Sequence, residues 1–471
     1  MSMKQMTLKN IAEVVRGTLH NCQENLEVTG VVTDSRQVKQ GYLFLAVKGE
    51  RVDGHRFINQ VIENGAAAVI CTDAPQEEVP YILVEDVLKA LCDMAEFYRS
   101  MLEIPIIGIT GSVGKTSTKE CIASVLCQKY NVFKTEGNFN NEIGVPLMIL
   151  RIREHHQVAV LEMGINHFGE MHRLSKMVKP DIVVMTNIGQ CHLEFLGSRD
   201  GILKAKSEIF DYLQEQGTVI INGDDDKLST IKDVRGIKPI TFGRNATNML
   251  YADQINNKGL FGTQMHIYMN MSADLVQEKA ETVSFQTQIP LPGEHMVYNA
   301  LAATAVGHVL GLNTNEISRG ISEVQATGGR SNIIQTADHV IIDDCYNANP
   351  VSMCAAIDLL TLADTRKVAI LGDMFELGEQ AEKMHGEVGR YAAEKAIDVI
   401  LCIGKLSVTM AEEARLTLEE SHKNGKDIQI LHYATKELLY RDWESVLQKN
   451  DTILVKASHG MGFAEIVEKL K

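Results

Sequence analysis

Short apolar runs alternate with helical stretches along most of the chain, and this alternation predicts the fold class. In the middle of the chain, three apolar runs end in polar or glycine residues, at 158–164, 181–189 and 218–226. Strands that alternate with helices are typical of a doubly wound parallel sheet. Similar runs in the last segment lie at 339–344, 367–373, 399–404, 428–432 and 452–458. We therefore predict an α/β protein that contains two such sheets.

Length and pattern together indicate three domains. The 471 residues exceed what one core usually supports. We predict a small mixed α/β domain over 1–98, a central doubly wound domain over 99–325 and a Rossmann-like domain over 326–471. In the first domain, G-Y-L-F-L-A-V-K-G at 41–49 predicts an alternating strand. The last domain has no G-x-G-x-x-G, so its expected ligand is not a dinucleotide.

The strongest chemical signal follows the first strand of the central segment. The apolar run 106–110 is succeeded by the glycine loop G-S-V-G and by a helical pattern that begins at Lys115. Strand, glycine loop and helix form the P-loop context, in which backbone N–H groups surround a phosphate. We predict that Lys115 reaches the outer phosphates and that Thr116 binds Mg²⁺. Ile109 departs from the strict motif, and G-K-T alone specifies no reaction.

Polar side chains at the ends of the central strands are candidates for the chemistry. Ligands of parallel sheets gather at the carboxyl ends of the strands, where Glu162, Asn187 and the run 224–226 fall. A carboxylate in such a place favours Mg²⁺ binding by Glu162. The residue types alone favour a hydrogen-bonded loop position for His192 and a solvent-exposed helix face for Lys204 and Lys206. They also favour an exposed turn for 34–36, D-S-R.

Composition narrows the class of partner and the compartment. The formal charge of -15 argues against a nucleic-acid surface, so any anionic substrate must be held by local features. Nine cysteines without a C-x-x-C pair predict reduced thiols in a cytoplasmic protein. The N-terminus lacks the apolar region of a signal peptide, and no run reaches the roughly 18 apolar residues of a membrane helix.

Several blocks in a fixed order resemble the Mur ligases, the ATP-dependent amide-forming enzymes of peptidoglycan synthesis. They include G-I-T-G-S-V-G-K-T-S (108–117), E-G-N-F-N-N-E-I-G-V-P (136–146), L-E-M-G (161–164), K-A-K-S-E-I-F (204–210) and Y-N-A-N-P (346–350). Y-N-A-N-P is similar to the dipeptide-adding branch, and the D-N-P-R of the diaminopimelate-adding branch does not occur. The family's N-terminal module contains T-D-S-R, so the resemblance reverses the interpretation of 34–36 as a bland turn.

The resemblance implies individual roles. Around ATP it implies phosphate contacts and further nucleotide contacts from Gly111, Ser112, Gly114, Lys115, Thr116, Ser117, Asn299, Arg330 and Asp344. It implies two Mg²⁺ ions, one on Thr116 and Glu162 and one on Glu162, His192 and a CO₂-derived carbamate of Lys206. The implied catalytic residues are Lys115, Glu162, His192 and Lys206. For the UDP-sugar peptide it implies Asp34, Ser35, Arg36 and Asn138, and for the incoming dipeptide Asn347 and Asn349.

Two positions depart from the family pattern. Met296 stands where asparagine is common in G-x-H-N-x-x-N, and His459 stands where arginine is more usual. The first departure puts one adenine contact in doubt, and the second weakens any claim about a phosphate contact near the C-terminus.

The reaction implied by the resemblance joins D-alanyl-D-alanine to UDP-N-acetylmuramoyl-tripeptide through an acyl phosphate. The expected partners are these small molecules, and we expect a monomer without a membrane span. Three alternatives stay open at the level of sequence: a ligase for another acid, such as a folylpolyglutamate-synthase-like enzyme, a P-loop nucleotide switch, and a non-catalytic scaffold. The switch would not explain Lys206 or Y-N-A-N-P, and intact Lys115, Thr116 and Glu162 argue against the scaffold.

Overall fold

The computed structural model is a mixed α/β protein with three sheets, which confirms the predicted fold class. It describes residues 3, 5–49, 52–189, 193–270, 282–293, 295–325, 332–345, 348–375, 377–420 and 428–471. Three predicted site residues, His192, Arg330 and Asn347, lie outside this part of the chain. Among the described residues, no helix combines the length and the apolar composition needed to cross a bilayer. The eight cysteines in these ranges are free.

The first sheet has five strands in the order β1-β5-β4-β3-β2, parallel except for β1. Its elements are α1 Leu8–Val15, β1 Thr18–His20, β2 Gly30–Val32, β3 Tyr42–Leu45, α2 Ile58–Glu63, β4 Ala68–Cys71, β5 Tyr81–Leu83 and α3 Val87–Ser100. The prediction of alternation in 41–49 is wrong. Leu43, Phe44 and Leu45 are all buried, because parallel strands inside this sheet are covered on both faces.

The second sheet has nine strands in the order β14-β13-β12-β11-β10-β9-β6-β8-β7. The P-loop strand β6 lies between β9 and β8 and is parallel to both. The carboxyl ends of these three strands therefore meet at one edge. The elements are β6 Ile106–Thr110, α4 Lys115–Leu126, β7 Val132–Lys134, α5 Gly144–Ile149, β8 Val158–Glu162, α6 Glu170–Val178, β9 Ile182–Met185, α7 Leu193–Leu196, α8 Arg199–Ser207, β10 Thr218–Asn222, β11 Ile240–Gly243, β12 Leu250–Asn257, β13 Thr263–Met269, β14 Val283–Ile289, α9 His295–Val309 and α10 Thr314–Ser322.

The third sheet has six strands in the order β15-β16-β20-β17-β18-β19, and β15 alone pairs antiparallel. Its parallel strands follow the predicted runs closely. The elements are β15 Asn332–Gln335, β16 Val340–Asp343, α11 Pro350–Thr361, β17 Lys367–Gly372, α12 Ala381–Glu394, β18 Val399–Ile403, α13 Ser407–Glu420, β19 Gln429–Tyr433, α14 Lys436–Val446, β20 Thr452–Lys456 and α15 Ala464–Leu470.

The chain divides into two compact units. The first contains 1–254, 265–287 and 297–322, and the second contains 255–264, 288–296 and 323–471. Within the first unit one hydrophobic cluster joins residues of both sheets, such as Leu43 and Leu161. The bounds of the three domains predicted from the sequence stay a prediction.

Arg99, at the end of α3, fastens this helix to the chain around β9. Its side chain is 6% exposed and donates to the carbonyls of Val178 at 2.7 Å and Lys179 at 2.9 Å, and to the Asp181 carboxylate at 3.1 Å. We expect Arg99→Met to lower the free energy of unfolding by about 1–3 kcal/mol, because three backbone carbonyls and the partly exposed Asp181 carboxylate lose the hydrogen bonds that they accept from the buried guanidinium.

Urea denaturation followed by circular dichroism measures this loss. Lys89→Met is the control, since Lys89 pairs with Asp93 on the exposed face of the same helix. It should cost less than about 1 kcal/mol. Equal losses in the two variants would contradict the structural role of Arg99.

Candidate active site

The P-loop turns from β6 into α4 through two glycines. Gly114 caps α4 with φ +82°, a conformation that glycine adopts without strain. The Lys115 ammonium curls over the loop and donates to the Gly111 carbonyl at 3.0 Å. The first backbone N–H groups of a helix have no partner within it, so the start of α4 offers several donors and a partial positive charge to an anion.

Residues 186–189, after β9, hold the loop in shape. The backbone N–H groups of Ser112 and Val113 donate to the carbonyl and the side-chain oxygen of Asn187, both at 3.0 Å. The Ser112 hydroxyl accepts from the Gly189 N–H at 2.8 Å. A Cβ on Gly111 would stand 1.9 Å from the Thr186 hydroxyl, which explains why glycine is required there. Sequence reasoning noticed Asn187 at a strand end but gave it no role.

Glu162 ends β8 directly behind the loop and is 2% exposed. One carboxylate oxygen accepts from the Thr116 hydroxyl at 3.0 Å, and the other accepts from the Asn140 amide at 2.8 Å. The Glu162 backbone N–H donates to the Thr135 hydroxyl at 2.9 Å. The structure thus brings the two predicted magnesium ligands Thr116 and Glu162 together. Thr135 and Asn140 were missed, because neither carries a motif of its own.

The oxygen atoms of Thr116 and Glu162 fit Mg²⁺. This ion takes one or two protein ligands and completes its shell with water and substrate phosphates. The buried Glu162 carboxylate accepts hydrogen bonds from a neutral hydroxyl and a neutral amide, so a bound cation would stabilise its negative charge. Within the described ranges, no cluster of three or more histidine, cysteine, aspartate or glutamate side chains could form an all-protein cage.

Lys206 lies on α8 and is 1% exposed, whereas Lys204 on the same helix is exposed. The expectation of a solvent-exposed helix face is therefore wrong for Lys206 and confirmed for Lys204. Lysine is almost never fully buried without a special reason. The proposed carbamate on Lys206 supplies one such reason and stays a prediction.

The acidic run after β10 organises loops. Asp224 accepts hydrogen bonds from the Asn248 amide at 2.8 Å and the Tyr298 hydroxyl at 3.2 Å, and Asp225 accepts from the Ile188 N–H at 2.9 Å. Asp224 also lines a cavity of about 560 Å³ with Gly223, Arg244, Asn245 and Tyr298. Ile188 lies in the segment 186–189 that contacts the P-loop. Its hydrogen bond to Asp225 therefore lets the acidic run help to position this segment.

Asn299, on α9, is buried beside the P-loop helix. Its side-chain oxygen accepts from the Thr118 hydroxyl of α4 at 2.9 Å. A Cβ on Gly114 would lie 3.9 Å from the same oxygen. Asn299 therefore borders the start of α4, where a bound nucleotide's phosphates would sit.

In the second unit, Asp344 and Asn349 follow β16. The Asp344 carboxylate is buried and pairs with the buried Lys456 ammonium at 2.6 Å. The Asn349 side chain caps α11 by accepting from the Ser352 N–H at 2.8 Å. The cap gives Asn349 a structural task that sequence reasoning did not foresee. The nucleotide and dipeptide contacts expected of these residues stay predictions.

The segment 34–36 lies beside a cavity of about 500 Å³ in the first unit. The Arg36 guanidinium pairs with the Asp34 carboxylate at 2.7 Å, and this hydrogen bond lowers the pKa of Asp34. The cavity is lined by Gly30, Val31, Val32, Arg36, Gln37, Lys39, Tyr42, Arg151 and Arg153. Four of these residues are cationic, and none of the three beyond Arg36 was predicted. Asn138 is exposed in the segment that leads to Asn140.

Comparisons with known proteins identify the family of this chain. Three family models match: the Mur ligase family catalytic domain at 27–99, the Mur ligase middle domain at 109–307 and the Mur ligase glutamate ligase domain at 329–459. The chain belongs to the Mur ligase family, whose members form amide bonds at the expense of ATP.

Several known proteins are similar to this chain over nearly its whole length. The UDP-N-acetylmuramoyl-tripeptide–D-alanyl-D-alanine ligases of Bacillus subtilis and Escherichia coli are 40% and 33% identical, covering 99% and 100% of this chain and 99% of each relative. A MurF crystal structure from Acinetobacter baumannii has a TM-score of 0.84 at 32% identity, covering 100% of this chain and 99% of that one. The MurF ligase of Thermotoga maritima in complex with ADP has a TM-score of 0.69 at 30% identity, covering 93% and 96%.

Lys115→Ala should lower turnover by about 10²- to 10³-fold, because it removes a cation from the phosphate end of the site. The fold should persist, since the Lys115 ammonium donates to a carbonyl of its own loop. ADP formation measures the turnover, and the thermal midpoint measures the fold. Near-normal turnover in a folded variant would contradict the assignment of the P-loop.

Proposed function

We propose that this protein adds D-alanyl-D-alanine to UDP-N-acetylmuramoyl-tripeptide, the reaction named for its full-length relatives. The observation that carries the proposal is the buried Glu162 carboxylate, held by Thr116 at the end of the P-loop. This arrangement suits phosphoryl transfer, which depends on positioning and on offsetting charge. ATP and a UDP-linked precursor are cytoplasmic metabolites, which supports a cytoplasmic location, and we expect a monomer.

In the proposed reaction, an oxygen of the tripeptide's terminal carboxylate attacks the γ-phosphorus of ATP and the bond to ADP breaks. The dipeptide amine then attacks the acyl carbon of the acyl phosphate. Inorganic phosphate leaves with the former carboxylate oxygen, and the amine loses a proton. Phosphorylation is needed because a carboxylate is a poor electrophile at neutral pH.

The P-loop residues have separate tasks in this proposal. The backbone at Gly111, Gly114 and Ser117 and the start of α4 surround the phosphates, and Lys115 meets the transferring group. The Ser112 hydroxyl accepts a hydrogen bond from the Gly189 N–H. In this proposal the hydrogen bond holds the loop in the conformation that receives the phosphates. Asn299 is proposed as a further nucleotide contact in the first unit, and Arg330 and Asp344 are each proposed as nucleotide contacts of the second unit.

Mg²⁺ held by Thr116 and Glu162 would offset the negative charge that gathers on the phosphoryl group. A second Mg²⁺ would be held by Glu162, His192 and a carbamate on Lys206. A carbamate forms only on a neutral amine, and it turns a cationic side chain into an anionic oxygen ligand. The burial of Lys206 supports this conversion, because a buried site disfavours the charged amine.

The cationic cavity near Arg36 supports a site for the UDP-sugar peptide. A protein of net charge -15 has to hold a diphosphate by a local cluster of cations, and four line this cavity. Arg151 also joins the two segments expected to bind this substrate. It donates to Glu136, two residues before Asn138, at 2.6 Å, and has a long contact of 3.5 Å with Gln37. Asn347 and Asn349 would meet the incoming dipeptide.

The direct test supplies the purified full chain with ATP, Mg²⁺ and D-alanyl-D-alanine, and with UDP-tripeptides that carry either lysine or diaminopimelate third. ADP formation that requires both the tripeptide and the dipeptide supports the proposal, and the faster tripeptide identifies the substrate. ADP formation only with glutamate and a folate acceptor would replace it with the polyglutamate-adding alternative. Slow hydrolysis that ignores both substrates would replace it with a nucleotide switch.

Arg151→Met should raise the KM for the UDP-tripeptide about 10- to 100-fold and leave kcat nearly unchanged, because a charge-assisted contact to a non-reacting group is lost. Initial rates at saturating ATP and dipeptide measure both constants. Arg390→Met is the control, since Arg390 pairs with Glu413 at 2.9 Å on a helix of the second unit. A kcat loss without a KM change would place Arg151 outside the substrate site.

Lys206→Ala should lower turnover at least about 10²-fold, and added acetate or formate should restore part of it, because a small carboxylate can replace the carbamate. The control is Lys204→Ala, which removes an exposed lysine from the same helix and should keep full turnover. Rates measured across a carboxylate titration decide the outcome. Loss without rescue in a folded protein would leave the carbamate without support.

A further inference from the structure

Lys119 is a buried cation that the proposed chemistry does not use. It lies on α4, one helical turn after Lys115, and is 1% exposed. Its ammonium donates to the Thr135 carbonyl at 2.7 Å and pairs with Glu120 at 3.2 Å. Glu120 is buried too and also pairs with Lys134. A buried ion pair is costly to form and is weak evidence for a purely stabilising role, so this lysine invites a functional explanation.

The contacts of Lys119 belong to a closed hydrogen-bonded circuit, which runs through Lys119, Thr135, Glu162 and Thr116. Thr135 accepts from Lys119 through its carbonyl and from the Glu162 N–H through its hydroxyl, at 2.9 Å. The Glu162 carboxylate in turn accepts from the Thr116 hydroxyl at 3.0 Å. Thr116 and Lys119 lie on the same helix, three residues apart and hence on the same face. Helix α4 therefore holds Glu162 twice, directly through Thr116 and indirectly through Thr135.

The same circuit positions the segment that follows β7. Thr135 begins the stretch that leads to Asn140, whose amide donates to the other Glu162 oxygen at 2.8 Å. The Asn140 carbonyl accepts from the Gly164 N–H at 2.7 Å. Asn138, the proposed contact for the sugar peptide, lies between these two anchors. A shift of Thr135 would therefore move both the proposed magnesium ligand and the proposed substrate contact.

We propose that Lys119 is a positioning residue that fixes the Glu162 carboxylate for Mg²⁺ by holding Thr135. The inference rests on the proposed role of Glu162. Two acceptors, the Thr135 carbonyl and the Glu120 carboxylate, lock the otherwise flexible lysine in one conformation. Partners of metal ligands commonly set ligand orientation, and their loss typically costs about 10- to 100-fold in metal affinity or activity.

The test uses the full chain with Mg²⁺ and ADP, and calorimetry measures the Mg²⁺ dependence of ADP binding. Lys119→Met should raise the Mg²⁺ concentration for half-maximal binding about 10- to 100-fold. Two controls each lose a 2.7 Å hydrogen bond to a carbonyl and should leave the titration unchanged. They are Lys129→Met, whose ammonium donates to Gly311, and Tyr98→Phe, whose buried hydroxyl donates to Ile152.

Thr135→Val tests the circuit without disturbing the Lys119–Glu120 pair, and it decides the matter if Lys119→Met does not fold. It should raise the Mg²⁺ requirement in the same way, and the two substitutions together should cost less than the product of their separate effects. The circuit would be overturned if the double variant raised the Mg²⁺ requirement by the full product of the two separate effects. It would also be overturned if Thr135→Val, or a folded Lys119→Met, required the same Mg²⁺ concentration as the wild type. Glu162→Gln separates the two hypotheses. If it alone loses Mg²⁺ dependence, only the role of Lys119 fails, and if it titrates as wild type, the proposed role of Glu162 fails.

Discussion

The hydrogen bond from the Thr116 hydroxyl to the Glu162 carboxylate is the contact on which the rest of the site depends. It joins the first turn of the P-loop helix to the end of the neighbouring strand β8, and the parallel pairing of β6 with β8 makes the approach possible. The carboxylate is buried, so its orientation is set by the protein rather than by water. Preorganised groups of this kind lower a barrier because they need no rearrangement during the reaction.

The negative net charge of the protein makes local phosphate-binding features necessary. With a net charge of -15, the molecule offers anions no attraction at long range, so phosphate groups have to be held by local features. The first unit supplies two: the start of α4 with Lys115, and the cavity lined by Arg36, Lys39, Arg151 and Arg153. In the proposed function, the first would hold the nucleotide's phosphates and the second would hold the diphosphate-linked substrate.

Local sequence patterns predicted those parts of the fold that depend on neighbouring residues. The strand, glycine loop and helix order predicted the P-loop, and the position of Glu162 at the end of an apolar run made it a candidate Mg²⁺ ligand. The family resemblance paired it with Thr116, and the structure brings the two side chains together. Lys206 was misjudged because residue type favours exposure, whereas its burial depends on how α8 packs. Similarly, β3 was misjudged because packing covers both faces of the first sheet, so that Leu43 and Leu45 belong to one hydrophobic cluster and Phe44 belongs to another.

Residues without a motif could not be found from one sequence. Thr135 and Arg151 act through contacts with segments 27 and 114 residues away. Their types carry no signal of such partners. Asn349 shows the converse, since its family motif suggested a ligand contact while its side chain also caps a helix. Family resemblance supplies candidate roles, and the geometry shows which side chains already have another task.

The most direct test of the account follows an oxygen atom. With ¹⁸O in both oxygens of the terminal carboxylate of the UDP-tripeptide, mass spectrometry of the released phosphate should find one labelled oxygen for each amide formed. Glu162→Gln should form neither labelled phosphate nor amide at a comparable rate. Unlabelled phosphate accompanying amide formation, or an undiminished rate in Glu162→Gln, would contradict the claim that this buried carboxylate serves phosphorylation of an acid.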